Sequence, residues 1–124
     1  MRPTLFPRIL GGLAAAYGAH TFARPHSLMR AVGLEPGDLP VSQRHKGLGR
    51  AIGARDVVSG VSMMLAPAGT AMQAAIVARV ACDLGDTIGF GLVVPSRFRF
   101  KVVAVTAGWG LLCAAAFPAA GRAR

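Results

Sequence analysis

Four apolar stretches, at residues 5–23, 47–66, 71–94 and 102–120, occupy most of the 124-residue chain, and its basic residues gather between them and at the ends. A helix of about 20 residues spans the hydrocarbon core of a bilayer. The first three stretches have that length. The fourth is strongly apolar only to residue 117 and reaches the length by running on to 120 or by tilting. Hydrophobic residues make up 53% of the chain and charged ones only 15%, where a soluble domain carries roughly 25% charge. A water-soluble domain this small needs far more polar surface. The expected fold is therefore all-α: one integral membrane four-helix bundle covering residues 1–124, with the lipid bilayer as its principal partner. A short interfacial helix is expected over 26–32, between the first two spans, with Leu28, Met29 and Val32 on one side and Arg30 toward headgroups. Turns are expected over 35–40, where Pro36, Gly37 and Pro40 fall, over 66–69, and around Pro95.

The net charge of +9 invites a nucleic-acid reading. The positions of the basic residues argue against it, because a basic set at the edges of apolar stretches suits anionic headgroups. Aromatics are only 6% of the chain and do not interleave with the basic residues as a stacking platform would. Arginine outnumbers lysine 12 to 2, and alanine and glycine abound, as in proteins of GC-rich bacteria. The expected location is the bacterial plasma (inner) membrane, crossed several times. Eight basic residues (Arg24, Arg30, Arg44, Lys46, Arg50, Arg97, Arg99 and Lys101) lie on the side of the two long loops. Arg2, Arg8, Arg122 and Arg124 lie on the side of the termini. The positive-inside rule then places the long loops in the cytoplasm and the termini outside.

Arg2 and Arg8 ahead of an apolar run, with small residues near Ala23, also resemble a cleaved signal peptide. The likeness of this run to the second span favours its retention. Residues 8–25 and 50–67 carry Arg8/Arg50, Gly11/Gly53, Gly18/Gly60 and Pro25/Pro67 at equal offsets, which suggests an internal repeat of two helices plus two. Gly49-x-x-x-Gly53 and Gly85-x-x-x-Gly89 are small-residue pairs of the kind that lets helices approach closely, and a homo-oligomer or larger membrane complex is a further expectation. Tyr17 and Trp109 fall mid-span and are expected to pack. Met63 and Met64 read as core or lipid-facing fillers, and Cys82 and Cys113 as small apolar residues.

The feature that calls for explanation is the charge inside the spans. Asp56, Asp83 and Asp86 are three of only five acidic residues, and Arg55 and Arg79 accompany them. At a helix centre each costs roughly 2.5–3.5 kcal/mol on insertion scales, so they must face the interior and find partners. Arg79, Asp83 and Asp86 are spaced i, i+4, i+7 on one stripe, and Arg55, Ser59 and Ser62 repeat that spacing on the second span. At 1.5 Å per residue, Arg55 and Asp86 both lie about 12 Å from the same membrane face, which predicts an Arg55–Asp86 contact. Arg79 is placed to pair with Asp83 on its own helix. Asp56 is left without an evident partner; it is protonated, bonded to backbone or hydroxyl, or near His20.

Two readings of this polar cluster follow. One is a buried clasp that fixes how four weakly hydrophobic helices pack, in a structural or accessory subunit. The other is a proton- or ion-coupled transporter using the carboxylates; no span carries a central proline of the kind that breaks transporter helices. No nucleophile–base set or phosphate loop is present, so no enzymatic activity, cofactor or metal is expected. His26 and His45 read as solvated side chains.

The phrases RAIGARDVVSG (50–60) and ARVACDLGDTIGF (78–90) have the form Arg-x-x-Gly-x-Arg-Asp/Glu-x-x-x-Gly followed by Arg-Val-x-x-Asp-x-x-Asp. With YGAHTFARPHSLMRAVGL before them, the chain from residue 8 to about 110 resembles an uncharacterised bacterial family of small four-helix integral membrane proteins. Similar spans occur fused to cyclase/dehydrase-like lipid-binding domains in actinobacteria. The resemblance implies membrane residence and importance of Arg55, Asp56, Arg79, Asp83 and Asp86. It implies no reaction.

Overall fold

Proline and glycine set the helix boundaries in the computed structural model, which describes residues 4–34 and 42–122. All secondary structure among the described residues is helical: α1 (Leu5–Ala23), α2 (Pro25–Ala31), α3 (Gln43–Leu65), α4 (Thr70–Val93), α5 (Ser96–Ala115) and α6 (Phe117–Arg122). Pro25 ends α1 and opens α2, where its missing N–H is no loss. Ser42 caps α3, its Oγ accepting from the His45 N–H at 3.2 Å. Gly69 turns the chain into α4 at φ +102, a left-handed geometry that favours glycine. The turn expected over 35–40 lies outside the described residues.

Two helices begin earlier than their apolar stretches. α3 starts at Gln43 rather than 47, and α5 at Ser96 rather than 102. Hydropathy marks where a helix turns apolar, whereas Ser42 and Pro95 mark where it begins. Arg97, Arg99 and Lys101 therefore ride on the first turns of α5.

The long helices form two antiparallel hairpins. In the first, α1 lies on α3 with Gly11 against Gly60 and Gly18 against Gly53. A Cβ on Gly11 would fall 2.6 Å from the Gly60 carbonyl oxygen, and one on Gly53 would fall 2.5 Å from the Phe22 nitrogen. These are the four glycines at equal offsets, so the repeat relates α1 to α3 across one hairpin. At one end Arg8 donates to the carbonyls of Met64 and Ala66; at the other Gly49 abuts Pro25.

In the second hairpin α4 lies on α5. Thr87 Oγ1 and Thr106 Oγ1 share a 2.8 Å hydrogen bond, and Gly110 leaves room for the Asp83 Cβ. The Gly69 N–H donates to the Ala120 carbonyl at 2.9 Å, which ties the turn before α4 to α6. Gly85 and Gly89 face open space, so the close approach their spacing suggested is not used within the chain.

Apolar cores sit at both ends. Leu10, Met63, Met72, Ile76, Cys113 and Ala116 pack at the end that holds the turn before α4. At the other, α2 lays Leu28, Met29 and Val32 against Phe90, Val94 and Val102, with Arg30 exposed. Both cysteines are free. Trp109 packs on the first core, but Tyr17 does not pack as expected and stays half exposed.

The outer surface is apolar. Leu65, Leu92, Phe100 and Leu111 are each more than two-thirds exposed, whereas Asp56, Arg79 and Asp83 are 6%, 2% and 3% exposed. One stretch, Ser96–Gly121, is long and apolar enough to cross a membrane, with mean hydropathy 1.8. No other helix among the described residues meets that test. α4 carries Arg79, Asp83 and Asp86, and α3 carries Arg55 and Asp56 together with the basic residues of its first turns.

Candidate functional site

Rotation of α3 decides which of its polar residues turn inward. Gly53 and Gly60 must meet α1, and Asp56, three residues from one and four from the other, shares their face. The buried stripe is Gly49, Gly53, Asp56, Ser59, Gly60 and Met63. Arg55 lies beside that stripe and curls its guanidinium back over it. Ser62 is exposed and donates to the Val58 carbonyl one turn back at 2.7 Å, so it makes no hydrogen bond to the Arg/Asp network. It shares the stripe of Arg55 and Ser59 along α3 but stays outside the hydrogen-bonded cluster.

α4 brings the other half. Arg79 and Asp83 pair within the helix, Nη2 to Oδ1 at 2.6 Å and Nε to Oδ2 at 3.2 Å. The same guanidinium crosses to α3, where Nη1 donates to Asp56 Oδ1 at 2.8 Å and to Ser59 Oγ at 2.9 Å. Arg55 and Asp86 meet in a two-pronged contact, with both Nη1–Oδ1 and Nη2–Oδ2 at 2.7 Å. Arg55 also reaches Asp56 Oδ1, from Nη2 at 2.8 Å and from Nε at 3.2 Å. Such forked, charge-assisted bonds are the strong ones among hydrogen bonds.

Asp56 is thus the junction of the network. The expectation that it lacks a partner is overturned, because the glycine-driven rotation of α3 places its Oδ1 between two guanidinium groups. His20 is exposed on α1 and makes no contact with the cluster. The structure brings together Arg55, Asp56, Ser59, Arg79, Asp83 and Asp86 and leaves out Ser62 and His20.

The network bridges the two hairpins, and two clefts adjoin it. One, of about 710 Å³ between α3 and α4, is walled by alanines, with Arg55, Ser59 and Ser62 along it. The other, of about 690 Å³, is lined by residues of α1 through α5. Asp56, Arg79, Asp83 and Asp86 form its floor. Tyr17, Phe90 and Trp109 stand on its walls, and Lys101 also lines it. Sequence reasoning missed this cleft, although it contains the only tyrosine and the only tryptophan of the chain. Two amphipathic aromatics away from the helix ends were the available signal.

No family model, curated protein or solved structure matches the chain. Its chemistry must therefore be read from the site itself. Among the described residues no group of three or more His, Cys, Asp or Glu could hold a metal ion. No fully buried side-chain nitrogen or oxygen among them lacks a hydrogen-bond partner. A network satisfied to that degree is suited to fixing one arrangement of helices.

The two serines separate the network from its surroundings. Ser59→Ala removes an acceptor from a buried guanidinium and is expected to cost about 1–3 kcal/mol. Ser62→Ala removes a local bond at an exposed position and should stay within about 0.5 kcal/mol of the parent. Equilibrium unfolding of the two variants side by side measures the difference; equal effects would place Ser59 outside the network's energetics.

Proposed function

We propose that the chain is a small multi-pass integral membrane protein of the bacterial inner membrane, structural or accessory in role, whose Arg/Asp network clasps two helical hairpins together. The observation that carries the reading is that the carboxylates and guanidinium groups of the mid-helix network lie inside, while many large aliphatic side chains of the same helices lie outside. Water would favour the reverse arrangement. Of the most apolar part of Ser96–Gly121, only 22% is buried within the fold, whereas the core helix of a soluble domain would be mostly covered. α1, α3 and α4 are the other proposed spans; α3 and α4 are less apolar because they carry the charges of the network, which lie inside the fold.

The ends of the helices support an orientation. Arg24, Arg44, Arg97, Arg99 and Lys101 are exposed at or near the end of the fold that carries α2, which faces the cytoplasm under the positive-inside rule. The termini then face out. The resemblance to uncharacterised bacterial four-helix membrane proteins implies membrane residence only, and association into a homo-oligomer or larger complex accounts for the open Gly85–Gly89 face.

Expressed in bacteria, the protein should resist alkaline extraction from membranes and need detergent to stay dispersed. In a background with Cys82 and Cys113 replaced, a cysteine at residue 44 should be labelled only from the cytoplasmic side. A protein that stays monodisperse in buffer alone refutes membrane residence; labelling of residue 44 from outside refutes the orientation.

A second reading rests on the cleft that reaches Asp56. A carrier coupled to protons or ions would use Asp56, Asp83 and Asp86 along that route. Proteoliposomes with an imposed pH gradient test it: pH-dependent flux in the parent, lost in a folded Asp56→Asn variant, supports the carrier. Absence of flux in the parent leaves the clasp as the role of these residues.

A further inference from the structure

The floor of the cleft between the hairpins is not electrically complete. Three carboxylates meet two guanidinium groups there. Both oxygens of Asp83 and both of Asp86 receive hydrogen bonds, but at Asp56 all the donors converge on Oδ1. No described residue donates to Oδ2. Asp56 is 6% exposed and lines the cleft, and no fully buried polar atom lacks a partner. Its second oxygen therefore keeps a small accessible area, and Asp56 lines this cleft.

The walls supply the complement. Tyr17, Phe90 and Trp109 line the same cleft as the carboxylates, and Leu13, Val105 and Leu112 add to its apolar lining. Aromatic faces beside a carboxylate are the chemistry that recognises ammonium groups. A volume of about 690 Å³ falls within the 300–1,000 Å³ typical of small-molecule sites. We propose that this cleft binds a single-tailed amphiphilic amine, its ammonium on Asp56 Oδ2 on the side of Tyr17 and Trp109, and its tail along the apolar lining of the cleft.

A phospholipid headgroup is a poorer occupant than a free amine. Asp56 is near the middle of α3, 9 residues from Leu65 and 13 from Gln43, and so about 13 Å or more along the axis from either helix end. The ammonium of a two-tailed lipid stays at the surface layer and does not descend that far. Lys101 lines the cleft nearer the start of α5 and has no carboxylate partner among the described residues. Its charge opposes the entry of a cation, so removing it should strengthen binding.

The ligand site rests on the membrane reading only for its route of entry, and its test is separate. Trp109 is the single tryptophan and lines the cleft, so its emission reports occupancy directly. The full chain is titrated with dodecyltrimethylammonium and, as the anionic counterpart, with dodecanoate, in phosphatidylcholine nanodiscs. If the protein proves soluble in buffer alone, the titration is run there. Saturable change with the cation and at least tenfold weaker response to the anion are expected. Asp56→Asn should weaken the cation at least tenfold.

Because Asp56 also serves the clasp, two variants outside it accompany the test. Gly108→Leu places a side chain in the cleft at a position with nothing within 4 Å, and should abolish the response. Lys101→Ala should strengthen it about three- to tenfold. Equal response to cation and anion, or a saturable response that survives Gly108→Leu, overturns the proposal while leaving membrane residence intact. Equal binding of the amine in phosphatidylethanolamine-rich and phosphatidylcholine nanodiscs is expected; strong competition by phosphatidylethanolamine would assign the cleft to a lipid headgroup instead.

Discussion

Replacing Arg79 by methionine is expected to destabilise the protein by about 3–5 kcal/mol, the usual result of removing one partner from a buried ion pair. Arg79 is 2% exposed and serves three acceptors: Asp83 within α4, and Asp56 and Ser59 across the seam on α3. Its loss strands Asp83, whose side chain is 5% exposed and has no second cation. Asp56 retains Arg55. The double variant Arg79→Met with Asp83→Leu removes the stranded charge as well, and should recover to within about 1–2 kcal/mol of the parent, since an apolar pair of similar volume often replaces a buried salt bridge at little cost. Arg79→Lys keeps the charge but loses the fork that joins the two helices, and should fall between the two. Reversible unfolding in mixed micelles, with the folded yield in membranes as a second readout, measures the series. If the double variant is no more stable than the single one, the cost lies in the bridge from α4 to α3 and not in the uncompensated carboxylate.

The parts of this network that were legible in the sequence follow from one helix or from simple depth. Arg79 and Asp83 are one turn apart, which requires only that residues 79–83 be helical. Arg55 and Asp86 lie at equal depth on antiparallel neighbours, and the order of apolar stretches along the chain contains that relation. The buried face of α2 was also readable, because Leu28, Met29 and Val32 repeat at helical spacing. The rotation of α3 was not. It depends on glycines meeting glycines on another helix, and a rotation of about 100° per residue exchanges Arg55 for Asp56 as the inward position. Ser62 shares the stripe of Arg55 and Ser59, but its hydroxyl bonds its own helix, which spacing alone does not reveal. The cleft is further removed from sequence, since it is lined by residues of α1 through α5 that only the tertiary fold brings together. Tyr17 reads as a mid-helix packing residue until its neighbour is seen to be absent.

The same glycines give the second large effect. Gly53→Val is expected to lose most of the folded protein, at a cost of about 3 kcal/mol or more, near or beyond the upper end for overpacking. A Cβ at Gly53 would lie 2.5 Å from the Phe22 nitrogen and 2.6 Å from the Gly18 carbonyl oxygen. Both contacts are backbone, so no rotamer change relieves them, and α1 must move away from α3. That motion also carries the α3 face on which Asp56 sits, so the clasp should weaken together with the hairpin. Gly85→Ala and Gly89→Ala provide the contrast. Each has nothing within 4 Å, and alanine favours a helix over glycine by about 0.8–1.0 kcal/mol, so both should leave stability unchanged or slightly raised. If the open face of α4 forms a homo-oligomeric contact in the bilayer, Gly85→Leu should lower the oligomeric mass in detergent while leaving the monomer's unfolding transition in place. Tolerance of valine at Gly53, measured as parental yield and unfolding midpoint, would mean that α1 and α3 do not pack backbone to backbone, and would remove the reason for Asp56 to face the seam.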